Sequence, residues 1–152
     1  MRTLTIRWLL WIPPLLWMAA IYLVSGDAES AQRSSRIIGP LVRWLVPDIS
    51  EDALWTVVLI VRKGAHLTEY AVLSILVFVA LHGLPIRSQT NRRRSNLALA
   101  FVLSTAYACT DELHQSLVPN RIGAFTDVLI DALGAALGLA LLQGLCLRKR
   151  TR

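Results

Sequence analysis

The sequence has no glycine-rich phosphate loop, no internal repeat and no low-complexity tract. These absences exclude a nucleotide-cradling loop, a stacked-repeat architecture and a long unstructured linker. Cysteine is scarce. Cys109 and Cys146 stand near opposite ends of different apolar runs, too far apart to bridge, so no disulfide framework holds the chain together. A His-Glu-x-x-His pair, the helical signature of many zinc hydrolases, is missing as well. Acidic residues are few and uneven: ten Asp and Glu stand against sixteen Lys and Arg, and Tyr70 to Thr110 contains none.

What the chain has in abundance is apolar residues, 55% of its 152 positions. That is too hydrophobic for an ordinary small soluble domain, and the length suits one domain over residues 1–152. A helix crossing ~30 Å of hydrocarbon needs about 20 mostly apolar residues. Four windows approach this: 6–24, 64–84, 97–113 and 122–147. The expected fold is all-α, an integral-membrane four-helix bundle. The first window follows Arg2 and Arg7, as a secretory signal would. Its apolar run nevertheless continues through Ile21 to Val24 with no Ala-x-Ala site just beyond, which favours a retained anchor. Pro13 and Pro14 are expected to kink this helix.

Charge placement fixes an expected orientation. With the N-terminus inside, the inner segments hold Arg2, Arg7, Arg87, Arg92, Arg93, Arg94, Arg148, Lys149, Arg150 and Arg152 and no acid. The outer side receives Arg33, Arg36, Arg43, Arg62, Lys63 and Arg121 with all ten carboxylates. The positive-inside rule then puts both termini in the cytoplasm. This distribution explains the net charge of +6 without nucleic acid, and membrane lipids are the expected partners of the basic runs.

Between the first two spans, Ile37, Ile38, Leu41, Val42, Leu45 and Val46 recur at helical spacing opposite Gln32, Arg33, Arg36 and Arg43. This predicts an amphipathic helix over 31–46 on the outer leaflet, with Trp44 at the interface. Pro47 and Asp48 end it. Ser50 or Asp48 should cap the next helix, with Glu51 and Asp52 in its first turn where the dipole favours anions. Running on to Leu84, that helix would be roughly 50 Å long, more than a bilayer needs.

Three polar motifs sit at the ends of the apolar runs: Lys63, His66, Glu69 and Tyr70; then Asp111, Glu112, His114 and Gln115; then Arg121, Asp127 and Asp131. Ionisable groups at the edge of hydrocarbon are costly, so a sequence holding this many is expected to use them at one place. Lys63, His66, Glu69 and Tyr70 share a helical arc of roughly 120°. Asp127, Asp131, Gly134 and Gly138 are spaced 4, 3, 4, and Gly134-x-x-x-Gly138 is a close-packing signal, within the chain or between copies in a homo-oligomer. Lys63 and Arg121 are suited to a phosphate, and Tyr70, Gln115, Asp127 and Asp131 are expected at the same substrate site. His66, Glu69, Asp111, Glu112 and His114 are suited to acid–base chemistry. Alternatively, His66 with Glu69 and Asp111 with His114, each at i, i+3, could reach one divalent metal. A serine nucleophile is less expected, because the sequence pairs neither Ser25 nor Ser116 with a base. The bland alternative is a network that only pins helix ends.

The residues from Arg62 to Tyr70 resemble the first motif of the VanZ-like family, small bacterial membrane proteins named for an accessory protein in resistance to teicoplanin, with Leu67 where Phe is common. Asp111 to Arg121 resembles the second motif, departing at Leu117 for Phe and at Asn120 for Gly. Asp127, Asp131 and Gly134 also fit the family's pattern, and Ser25 resembles a serine the family places after its first span. The resemblance implies a place in the cell envelope and no particular reaction, and teicoplanin resistance is not carried over. The function expected from residues and resemblance together is the binding of an anionic lipid or lipid-linked envelope precursor at an outward-facing polar site. The alternatives are a membrane hydrolase or group-transfer enzyme, metal-assisted or not, and a helix-packing partner in a membrane complex.

Overall fold

The computed structural model describes residues 8–25, 30–83, 90–117 and 124–148. Among them are five helices and no strand: α1 Ile12–Ser25, α2 Ser30–Leu45, α3 Glu51–His82, α4 Thr90–Ser116 and α5 Phe125–Arg148. The all-α expectation is met. By length and apolarity, two of the helices qualify to cross a membrane, α3 and the Phe125–Cys146 part of α5. Among the described residues the other two expected spans do not qualify by this measure. Of the first, the described part comprises helical Trp8 and Leu9, a turn at Leu10 and Trp11, and the 14 residues of α1, which rise about 21 Å. The 27 residues of α4 suffice in length, but they carry Arg92, Arg93 and Arg94 in one end and Asp111 and Glu112 in the other.

Local chemistry accounts for the helix ends. Ser50 has an extended backbone and its hydroxyl accepts from the Ala53 amide at 3.3 Å, with Glu51 and Asp52 following in the first turn. At the other end Gly83 adopts φ +77°, a conformation closed to most side chains, while its amide donates to the Val79 carbonyl at 2.9 Å. The irregularity expected at Pro13 and Pro14 takes the form of an interruption: Trp8 and Leu9 are helical, Leu10 and Trp11 form a turn, and α1 starts at Ile12 with both prolines in its first turn, where a missing amide breaks no helical hydrogen bond. On α2 the expected amphipathic helix is present, and Ile37, Leu41, Trp44 and Leu45 are exposed.

The core forms around α3. Its Tyr70, Leu73, Val77 and Phe78 pack with Ala100 and Ala108 of α4, Val128 and Leu139 of α5 and Ile21 of α1. The closest approach is between α3 and α5. A β-carbon at Gly134 would lie 2.2 Å from the Leu67 carbonyl oxygen, and one at Gly138 would lie 2.3 Å from that of Ala71. Both glycines are therefore occupied by backbone of the same chain. The close packing expected of Gly134-x-x-x-Gly138 is thus met within the chain, by α3. The Ser74 hydroxyl donates across the same seam to the Ala135 carbonyl at 2.9 Å. Two long-range bonds tie α1 to the bundle: Trp17 Nε1 donates to the Glu69 carbonyl at 2.9 Å, and the Tyr107 hydroxyl donates to the Met18 carbonyl at 2.6 Å.

Candidate functional site

The 4, 3, 4 spacing on α5 puts its carboxylates on the face that packs against α3. As a result Asp127 and Asp131 meet Lys63 and His66. Lys63 Nζ donates to Asp127 Oδ1 at 2.7 Å, a pair that is partly open to solvent. One turn deeper, His66 Nδ1 stands 3.7 Å from Glu69 Oε2 and 3.8 Å from Asp131 Oδ1. Both separations are too long for a hydrogen bond, and neither His66 Nδ1 nor Asp131 Oδ1 has another partner. Asp131 is only 1% exposed. Beneath the pair, the wholly buried Tyr70 also leaves its hydroxyl without a partner.

A second group lies between α1 and α4. The Ser25 hydroxyl donates to Asp111 Oδ1 at 2.5 Å, and Gln115 Nε2 donates to Oδ2 at 3.0 Å, so both oxygens of a carboxylate 2% exposed are satisfied. His114 stacks on Tyr22 with ring centroids 4.3 Å apart. Glu112 accepts from the Ala124 amide at 2.5 Å and thereby holds the start of α5 to the end of α4.

The groups are electrostatic neighbours. Asp131 lies in the fields of Asp111, Glu112, Asp127 and Glu69, while Tyr70 lies in those of Asp111, Asp131 and Glu69. The carboxylates of all three motifs thus act on one another, in a place that is rich in negative charge. Its lysine is already engaged by Asp127. Arg121, the other expected phosphate ligand, lies outside the described residues.

The expected roles divide accordingly. Lys63, Asp127, His66, Glu69, Tyr70 and Asp131 come together along the α3–α5 seam, whereas Asp111, Gln115, His114 and Glu112 are drawn into separate contacts with α1 and α5. The two-pair metal arrangement does not assemble. Among the described residues no group of three or more His, Cys, Asp or Glu side chains is placed to hold an ion. Asp111 is instead taken by Ser25 and Gln115, and His114 by Tyr22. The Ser25–Asp111 bond also corrects the expectation that Ser25 has no basic partner. That pairing spans 86 positions, and the one signal for it in the sequence was the placement of Ser25 after the first apolar run. Tyr22 and Trp17, which line the approach from α1, carried no signal beyond being aromatic.

Chemically, a histidine whose Nδ1 faces two carboxylates can be oriented by either, leaving Nε2 to exchange a proton or bond a ligand. A buried carboxyl without a donor, beside an unpaired phenol, offers a ligand hydrogen-bonding capacity that the protein does not fill. In comparison with known proteins, the family model described as VanZ/LLP1 matches residues 10–147. No curated protein and no solved structure matches the chain.

Proposed function

The chain belongs to the VanZ/LLP1 family, and on that premise we propose that it is a four-span protein of a bacterial cytoplasmic membrane whose recessed polar cluster binds the head group of an envelope lipid or lipid-linked precursor. The membrane part of this reading is supported by α5. Its Phe125, Leu129, Leu133, Leu137, Leu141 and Leu145 are exposed in a winding stripe, and from the first to the last of them the helix rises about 30 Å, the thickness of the hydrocarbon layer. In this arrangement α1 and α4 complete the bundle, the exposed apolar face of α2 rests on the outer leaflet, and both termini lie in the cytoplasm.

The binding part is carried by one observation, the nearly inaccessible Asp131 with an unpaired oxygen facing His66. A network that only pinned helices would satisfy its own buried atoms, as Asp111 does; the α3–α5 seam leaves three unsatisfied. In the bound state Lys63 contacts the head-group phosphate at the mouth, with Arg121 as the expected second cation. The acids below receive hydroxyl or amine groups of the same head group. A second reading, group transfer or hydrolysis, is favoured by the position of His66 Nδ1 between Glu69 and Asp131, which suits His66 to acid–base work.

Lipids retained by the protein after gentle extraction test the binding reading by mass spectrometry. The wild type is expected to enrich one class of amphiphile over the bulk membrane, and His66→Ala and Asp131→Asn are expected to lose that enrichment while remaining folded. The same lipid profile in all three would overturn it.

A further inference from the structure

The inward face of α4 runs through Ala100, Ser104, Ala108, Asp111 and Gln115, all buried. Continued toward the start of the helix at the same spacing, this face reaches Leu97, Asn96 and Arg93. Asn96 Nδ2 lies 3.2 Å from His82 Nδ1 at the end of α3, and His82 is in turn stacked on Phe78 at 5.1 Å. Arg93 sits one turn further on. It is half-buried, whereas its neighbours Arg92 and Arg94 are exposed. Its guanidinium Nε and Nη2 atoms are buried and have no hydrogen-bond partner.

A guanidinium is always charged and carries five donors, so burying two of its nitrogens unpaired is strongly unfavourable unless an anion completes the site. Among the described residues no carboxylate lies there. No Asp or Glu occurs between Tyr70 and Thr110 or after Asp131. Asp111, the next acid along α4, is about 27 Å away down the helix. No described residue supplies the missing partner, and an anion from outside the chain can.

We propose that Arg93 is the centre of a binding site for a phosphate-bearing anion at the start of α4, beside the end of α3, and that an anionic phospholipid supplies the phosphate. The lipid source is argued from the surface beside the site. Phe101 and Leu103 are exposed on α4 about 12 to 15 Å further along and about 80° to either side of the Arg93 face, so a head group at Arg93 leaves its acyl chains an apolar track to lie against. Planar guanidinium geometry suits two phosphate oxygens at once. The site lies at the opposite end of α4 from the acid cluster, and it stands or falls independently of the function proposed for that cluster.

The test uses the full chain in detergent, titrated with phosphatidylglycerol, phosphatidylcholine or inorganic phosphate, with binding read by native mass spectrometry and by the shift in thermal unfolding. Phosphatidylglycerol is expected to bind at least about tenfold more tightly than phosphatidylcholine, and Arg93→Gln is expected to erase that difference. The Arg92→Gln/Arg94→Gln double variant should keep it. Arg93→Lys, which retains charge but not the planar fork, should fall between and serves as the reference should Arg93→Gln not fold. Inorganic phosphate that stabilises the wild type as well as the lipid does, and only when Arg93 is present, would keep the site and replace its lipid with a soluble phosphate. Preference for phosphatidylglycerol that survives in Arg93→Gln, or that is lost equally in the double variant, would overturn the site in favour of diffuse attraction.

Discussion

At the scale of single residues, the cluster contains two kinds of carboxylate. Asp111 has both oxygens bonded, whereas Asp131 has one oxygen with no donor. Removing the Ser25 hydroxyl by Ser25→Ala should therefore weaken the fold, by about 1.5 kcal/mol, toward the upper end for interhelical hydrogen bonds in membrane proteins because the acceptor is a carboxylate. Thermal unfolding in detergent reads this, and wild-type stability would show that Asp111 is held adequately by Gln115. The Lys63–Asp127 pair is partly solvated, so it should contribute only about 0–1 kcal/mol. Lys63→Asp and Asp127→Lys should each destabilise slightly and the double reversal should recover stability, while retention of the bound amphiphile is not recovered, because the lysine then sits on α5. Full recovery of both would make the pair a structural pin. The sequence made the members of the α3–α5 seam legible because His66, Glu69, Asp127 and Asp131 each lie at helical spacing on one face. It could not reveal the Ser25–Asp111 bond, where position in the chain says nothing about how α1 crosses α4.

Among the elements, the sharpest constraint is the contact of α5 on α3. At Gly134 and Gly138 even one methyl group would meet a backbone carbonyl, and backbone cannot rotate aside as a side chain can. Gly134→Ala and Gly138→Ala should therefore each lower stability by about 1–3 kcal/mol, the usual range for overpacking, as the helices are forced apart. Gly144, two turns further, has nothing near its position, so Gly144→Ala should be neutral or stabilise by up to about 1 kcal/mol through helix propensity. The contrast is measured by thermal unfolding of the three variants, and equal behaviour would mean that the seam is looser than its geometry. Periodicity revealed the small-residue stripe but not its occupant, since close packing inside one chain and between two chains requires the same pattern. One helix end was legible at Ser50, where a cap defines it; the other end of that helix lies at His82, capped by Gly83, short of the Leu84 that the apolar run suggests, because hydropathy does not register a turn in the backbone.

For the molecule as a whole, the distribution of charge and the direction of the helices make a joint prediction. The described carboxylates of the cluster gather at the start of α5 and the end of α4, while the start of α4 carries Arg92, Arg93 and Arg94. If α3, α4 and α5 all cross the membrane, these two ends face opposite compartments, and the positive-inside rule puts the arginines in the cytoplasm. A background without native cysteine is needed because Cys109 is exposed. In Cys109→Ala/Cys146→Ala, single substitutions Asn91→Cys, in the first turn of α4, and Asn120→Cys, after its last residue, probe its two ends without altering a charge. A membrane-impermeant thiol reagent applied to intact cells should label Asn120→Cys and reach Asn91→Cys only after the membrane is permeabilised. Labelling of both from the same side would remove α4 from the bilayer and with it the four-span arrangement. Labelling of Asn91→Cys alone would invert the molecule, placing the acid cluster in the cytoplasm and directing the search for its ligand to the inner leaflet.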